Sequence, residues 1–495
     1  MGALDEGHFN GELENGVKLI NLEVCDEEEV EATAAIEGAV KVLLQGLGED
    51  VNREGLKKTP LRVAKALREG TKGYRQKAKD IVQSALFPEA GLDSGVGYAG
   101  GTGGLVIVRD IDLFSYCESC LLPFQVKCHV GYIPSGQRVV GLSKLSRVAE
   151  VFARRLQEPR RLAEEICSAL DSGIKPAGVA VVLQCWHIQF PEADRNCFSQ
   201  IHHPSEMNMQ GWSKVSVRFG LGLFANEGSE AWGDFLALLK FRGVNVEKNH
   251  TKYPTSHHWC PFRSLDAPSC NGHASTHIPL NGRTPSRTGP SQPAMVAAVA
   301  MILNSLGEDP SRKEFVSTPR HFVQWLTKFR RPNMDMKLNG FDFDQFKPRL
   351  QKNMNDVDNS ILDQGELQSE LNIPFWSLCE HHLLPFHGVI HIGYFQAKGA
   401  EPVERSRLQS IAHFHGWKLQ VQERLSRQIM ETVAMIFGED VMVVVEASHT
   451  CMVSRGIEKV GTSTATIATM GRFSTDPTAK AMFLQTVSDC TASGG

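Results

Sequence analysis

Two long stretches of this chain repeat one another, and that duplication limits what it can fold into more than any other feature. Leu47-Gly48-Glu49-Asp50 recurs as Leu306-Gly307-Glu308-Asp309, and Thr59-Pro60 recurs as Thr318-Pro319 at the same offset of 259 residues. Further on, YCESCLLPFQVKCHVGYIP matches LCEHHLLPFHGVIHIGYFQ, and VAVVLQCWH matches VMVVVEASH. Cys117 then pairs with Cys379 and His187 with His449, both at an offset of 262. Such a period is too long for a solenoid of short repeats. It fits a duplicated domain of about 200 residues. The first domain is expected at 29–249 and the second at 291–490, with a flexible tail over 1–28. Residues 250–290, rich in Pro, Ser, Thr, His, Asn and Gly, read as a linker.

Each copy has the same order of elements. AIEGAVKVLLQG and AMVAAVAMILNS space their apolar residues three and four apart, which predicts helices. VAVVLQCWH and MVVVEASHT are rich in β-branched residues and predict strands. Helices first, strands around the Cys motif, a long helix and further strands make an α+β pattern rather than regular βαβ alternation.

Composition narrows the function classes. Lys and Arg number 52 against 56 Asp and Glu, a net charge of -4, so no general basic field attracts nucleic acid or a membrane surface. The longest apolar stretch, Pro293 to Leu303, is about half a membrane span. The N-terminus MGALDEGHFNGELENG lacks both an apolar signal core and an Arg/Ser-rich transit pattern. Twelve widely spaced Cys in 495 residues are unlike a small disulfide scaffold, and a reducing cytoplasm is the expected location.

The second half carries Cys379-Glu380-His381-His382 and later Ser448-His449-Thr450-Cys451. Cys379, His382 and Cys451 are donors that suit zinc, and three protein ligands leave a fourth position for water. His381, beside a ligand, is placed to supply a proton near neutral pH. C-x-x-H by itself also fits a buried Cys with two ordinary His.

Together with Gln422-Glu423-Arg424-Leu425 and Ser454-Arg455-Gly456, these motifs resemble the zinc-dependent GTP cyclohydrolase family. The doubled arrangement is similar to the plant form, and the likeness covers nearly all of both halves. It implies tandem tunnelling-fold domains, each an antiparallel sheet with helices, closed into a barrel by homo-oligomerisation. It also implies Zn2+ held by Cys379, His382 and Cys451, with His381 as catalytic acid and His449 as a catalytic and substrate-contacting residue. Gln422 and Glu423 match the guanine-reading pair and Arg455 a triphosphate contact. The implied reaction takes GTP and water to 7,8-dihydroneopterin triphosphate and formate.

The first half departs from this pattern in a complementary way. It has Ser119 for the acid, Cys120 for the ligand His and Gln189 at the third ligand position. Pro159 and Arg160 replace the guanine pair, and Ala193 the late Arg. Yet Gly141-Leu142-Ser143-Lys144 with Arg147, and Arg62 with Lys65, match the family's phosphate-binding residues. The second half has Arg405-Ser406-Arg407 with Ser410, and His321 with Gln324, at those places. A triphosphate needs several cations, which Arg supplies bidentately. One active site drawing on both halves is therefore expected, with about one zinc per chain, in the second half only.

Other readings stay open from sequence. Lys144 and Arg147 taken alone read as solvated helix-face charges, and Cys117 and Cys120 as two buried thiols. His257, His258, Cys260, Cys270, His273 and His277 in the linker are too irregularly spaced to be read as a metal site. Another zinc hydrolase or deaminase acting on a nucleotide, and a non-catalytic regulatory relative, are the rival functions. Formate release from GTP separates the first, and zinc-free protein without turnover would support the second.

Overall fold

The computed structural model describes residues 27–83, 86–88, 104–135, 138–189, 212–244, 246, 259–260, 262, 291–329, 365–396, 403–456 and 462–492. The expected tail, apart from its last two residues, lies outside these. So do Ala193 and most of the linker, including His257, His258, Cys270, His273 and His277.

Each half opens with two helices, α1 (Glu27–Gly46) and α2 (Thr59–Gly70), followed by the short α3 (Ala78–Gln83) in the first half. Strands β1 (Leu86–Pro88) and β4 (Arg138–Val140) pair as a small ribbon. The first main sheet comprises β2 (Val106–Cys117), β3 (Pro123–Ile133), β5 (Leu156–Gln157), β6 (Gly178–Ile188) and β7 (Trp212–Gly222), in the order β5-β2-β3-β6-β7. Helices α4 (Leu142–Ala153) and α5 (Pro159–Ile174) lie between its strands in sequence, and α6 (Glu230–Lys240) ends the half.

The second half repeats this plan. Helices α7 (Gln292–Ser305) and α8 (Thr318–Thr327) precede β8 (Glu366–Cys379), β9 (Leu384–Gln396), β10 (Leu419–Gln420), β11 (Val441–His449) and β12 (Thr464–Thr469). The sheet order is β10-β8-β9-β11-β12. Helices α9 (Arg405–Gly416), α10 (Gln422–Phe437), α11 (Thr450–Val453), α12 (Arg472–Thr475) and α13 (Pro477–Ala492) complete it. The α+β order expected from sequence is present twice. The sheets depart from pure antiparallel pairing in one respect: the two-residue strands β5 and β10 run parallel to β2 and β8.

Details of the duplication extend to backbone irregularities. Both long first strands carry a bulge, at Val108/Ile111 and Glu370/Ile373. Asp110 and Asn372 take positive φ of 56° there, and their N–H groups donate to Nδ1 of buried His129 and His391. Leu121 and Leu383, at φ 58° and 52°, turn the chain just after the two Cys motifs. A left-handed leucine in both copies marks a loop whose shape is over-determined by its surroundings. Gly131 and Gly393 have a different role. A Cβ at either would lie 2.4 Å from Phe235 or 2.7 Å from Phe483, so glycine lets α6 and α13 close on the outer face of each sheet.

The two halves exchange their opening helices. Thr59 Oγ1 at the start of α2 donates to the Glu380 carbonyl at 2.7 Å, and Arg53 Nη1 reaches the Glu380 carboxylate at 2.9 Å. Reciprocally, Thr318 Oγ1 at the start of α8 donates to the Glu118 carbonyl at 2.5 Å, and Trp325 Nε1 to the Cys120 carbonyl at 3.0 Å. Helix α1 packs on α7 at the centre. Each Cys-motif loop is thus covered by the helical pair of the other half, and one continuous core results.

Candidate active site

Strand β8 ends at Cys379 and the following turn presents His381 and His382, both half-buried. Strand β11 ends at His449, and the single turn of α11 places Cys451 behind it. Ligand atoms of Cys379, His449 and Cys451 lie within 4.8 Å of one another. His382 Nδ1 is 3.9 Å from Cys379 Sγ. The Cys379 thiol is held well below its ordinary value, chiefly by hydrogen bonding with Cys451 and then by His381, His382 and His449, against the opposing effect of burial. Two clustered thiols with imidazoles around them are a zinc donor set, so the residues fit the ion that the sequence implies. His449 enters this cluster more closely than the sequence assignment of Cys379, His382 and Cys451 foresaw.

His449 is locked in orientation. Gln422 Nε2 donates to the carbonyls of Val445 at 3.0 Å and Thr464 at 2.8 Å, which turns its Oε1 towards His449 Nε2 at 2.8 Å. The amide oxygen can only accept, so Nε2 carries the proton and the ring's lone pair is on Nδ1 in the neutral form. Phe386 stacks on the ring at 4.5 Å with a 7° interplanar angle. Gln422 therefore positions His449, while its neighbour Glu423 is exposed in the first turn of α10.

The loop itself is braced by a buried carboxylate. Glu380 accepts from Arg424 Nη2 at 2.6 Å and from Arg53 Nη1 at 2.9 Å, one cation from each half. Burial raises its pKa, but Arg424 and then Arg53 outweigh that and hold it below the usual carboxylate value. Arg53 escaped the sequence reading because Arg312, its repeat counterpart, makes it look unremarkable. Both make the same local pair, Arg53 with Glu49 at 3.1 Å and Arg312 with Glu308 at 2.7 Å, and Arg53 reaches Glu380 in addition.

The phosphate-type cations come to this region from the first half. A cavity of about 360 Å³ is lined by Phe114, Arg147 and Arg154 of the first half and by Val453, Arg455 and Gly456 of the second. Arg455 is four residues past Cys451 and its Nε donates to the Cys451 carbonyl at 3.1 Å. The structure thus brings Arg147 and Arg455 together across 308 positions of sequence. Ser143 and Lys144 share α4 with Arg147, Ser143 exposed and Lys144 half-buried. Arg62 is half-buried and Lys65 exposed. They lie on α2, whose first residue, Thr59, bonds the residue before His381. Spacing of three residues puts Thr59 and Arg62 on one helix face.

Arg154 was not found from sequence. It caps α4, with its guanidinium 3.8 Å above the Phe114 ring, and the matching cap of α9 is Trp417. The same contrast between copies that singled out Lys144 would have identified it.

The first-half loop corrects an expectation. Gln189, at the third ligand position, is exposed, which agrees with the loss of that ligand. Cys117 and Cys120 are nevertheless not simply two buried thiols. They lie with His187 and Cys260 in a fully buried cluster whose ligand atoms fall within 4.8 Å of one another. The fourth donor comes from the tract read as linker, where Cys260 has no counterpart in the second half to draw attention to it.

With this geometry established, comparison with known proteins is decisive. The GTP cyclohydrolase I family model matches residues 36–191 and 295–488, one match in each half. The chain belongs to the GTP cyclohydrolase I family. It is 55% identical over 494 residues to a protein named GTP cyclohydrolase 1 from Solanum lycopersicum, covering 100% of both chains. A protein of the same name from Arabidopsis thaliana is 54% identical over 490 residues, 98% of this chain and 97% of that one. The Saccharomyces cerevisiae protein of that name is 47% identical over 167 residues, 34% of this chain and 64% of its own length. Full-length similarity to two plant members of the family accounts for the tandem arrangement.

Proposed function

We propose that this chain converts GTP and water to 7,8-dihydroneopterin triphosphate and formate, the first step of pterin and tetrahydrofolate synthesis. Family membership supports the reaction, and the cavity shared by Arg147 and Arg455 supports a site built from both halves. Cys379, His382 and Cys451 would hold the zinc, with His449 beside them. When bound, zinc supplies a Lewis acid that makes water nucleophilic near neutral pH.

The remaining chemistry falls to side chains. His381 protonates purine nitrogen 7 as water adds at carbon 8. His449, fixed by Gln422, moves protons in the later ring-opening and rearrangement steps. Glu423 accepts from the donor edge of guanine. Arg147, Lys144 and Ser143 on α4, Arg62 and Lys65 on α2, and Arg455 after α11 offset the triphosphate charge.

Further chains complete the assembly in this reading. Among the described residues, β7 and β12 each pair on one side only, and open edges of this kind call for partners. A ring of domains that closes the sheets meets that need. The thiols Cys379 and Cys451 must stay reduced to bind metal, which fits the cytoplasm. No helix among the described residues is long and apolar enough to cross a membrane.

The test is a GTP assay that follows formate and a fluorescent pterin, with and without a chelator. Zinc-loaded protein that releases neither product would overturn the reading.

A further inference from the structure

Outside the catalytic region, the most chemically loaded place among the described residues is the first-half cluster of Cys117, Cys120, His187 and Cys260. All four side chains have no exposure. Their ligand atoms lie within 4.8 Å of one another. Zn–S bonds of about 2.3 Å in a tetrahedron separate sulfurs by roughly 3.8 Å, so these donors need only a small contraction to meet at one ion.

Several independent details have the form of a metal site. Cys117-x-x-Cys120 has the short ligand spacing of structural zinc sites. The turn is closed by Leu121 N–H donating to the Cys117 carbonyl at 2.8 Å, and Ser119 N–H donates to Cys117 Sγ at 3.4 Å. His187 Nδ1 donates to the Ile188 carbonyl at 2.6 Å. That bond fixes the tautomer and leaves the Nε2 lone pair facing Cys120 Sγ, 3.4 Å away. Ligating histidines are oriented by just such a bond on the other ring nitrogen.

The surroundings exclude a catalytic role. Helix α8 seals one side through Trp325 to the Cys120 carbonyl and His321 Nδ1 to the Ser119 carbonyl at 3.1 Å. Trp259 seals another, edge-on to His187 and to Phe124, each at 4.8 Å between ring centroids. Four protein donors leave no position for water, the closed arrangement of a structural rather than a catalytic zinc.

We propose that Cys117, Cys120, His187 and Cys260 form a second, structural zinc site that fastens the segment between the halves to the first sheet. The duplicated copy has lost its open catalytic geometry and gained a closing ligand from outside the repeat. The chain then holds two zinc ions with different tasks, in place of the single ion expected from sequence.

Metal content of the purified full-length chain tests this directly, with no reference to turnover. Wild type should carry about two zinc per chain and Cys260→Ser about one. Cys260→Ser should melt at lower temperature yet keep its kcat, since Cys260 belongs to neither the proposed catalytic set nor the cavity lined by Arg147 and Arg455. Cys120→His restores the C-x-x-H spacing of the other half with four donors still present, and should keep the second equivalent. Should Cys260→Ser fail to fold, wild type and Cys120→His still decide the matter. About one zinc per chain in both, or an intact mass showing a disulfide among the three cysteines in protein handled without oxygen, would overturn the proposal.

Discussion

At the scale of single residues, His381 and Cys451 separate two functions that lie side by side. On the proposed assignment Cys451→Ser removes a ligand of the catalytic ion, and should lower zinc content by about one equivalent and abolish turnover. His381→Ala, on the same assignment, removes a proton donor but no ligand. It should keep its zinc and bind GTP while kcat falls by roughly 10²- to 10⁴-fold, the usual contribution of general acid catalysis. Loss of zinc from His381→Ala would mean that His381 and His382 have exchanged roles. His391 gives a prediction far from the site. Burial pushes it down from 6.5 to about 4, so it is neutral in the folded protein at pH values where the unfolded chain takes up a proton. A lowered histidine stabilises fully above the unfolded value, and that stability is lost as pH falls from about 6.5 to about 4. The whole shift is worth on the order of 3 kcal/mol. His391→Gln keeps an acceptor for the Asn372 N–H and cannot titrate. Denaturant unfolding at several pH values between 7.5 and 4 should show a shallower acid loss for this variant, and parallel curves would exclude His391 as a source (pH range set by the shift).

The duplication made the elements easy to read, because each strand and helix had a second copy to check it against. Both Cys-motif strands, the long helix after them and the His-bearing strand fall where the paired texts placed them. The exchange of α1–α2 and α7–α8 between halves was not legible. Offsets of 259 and 262 are the same whether a helical pair covers its own loop or the other one. Cys260 was missed for the opposite reason, since it lies outside both repeats and has no second copy to be compared with, whereas Arg154 differs from Trp417 in the other copy and was open to the same comparison that singled out Lys144. The exchange itself can be tested through its two hydroxyls. Thr59→Val and Thr318→Val each remove a buried donor to a loop carbonyl, and each should cost about 1–3 kcal/mol in unfolding free energy. Their catalytic effects should differ. Helix α2 bears Arg62 and Lys65, proposed above as phosphate contacts, so Thr59→Val should raise KM for GTP. Helix α8 carries His321 and Gln324 over the closed first-half loop, so Thr318→Val should leave KM unchanged. Equal changes in KM would remove the functional distinction between the two helical pairs.

For the whole molecule, the question is which chain supplies the phosphate cations. In the proposed assembly a neighbouring chain could supply them. In this structure Arg147 reaches the cavity of Arg455 within one chain, and α11 with Cys451 packs on β3 of that chain's first sheet. The opening helices cross between the halves in the same chain. On the proposed assignment Arg147→Ala removes a charge-assisted contact and should weaken kcat/KM for GTP by about 1–3 kcal/mol, roughly five- to 150-fold. His381→Ala would remove the proposed acid from the same site. When the two variants are dissociated, mixed and reassembled, sites joined within a chain always contain one defect or the other. Activity of the mixture should then equal the average of the separate variants at every mixing ratio. Sites joined between chains would include some with both parts intact, and activity would peak above either variant near equal amounts. A co-expressed pair carrying different affinity tags, purified through both, ensures that the chains have assembled together. A peak in that preparation would move the partner of Arg147 to a neighbouring chain.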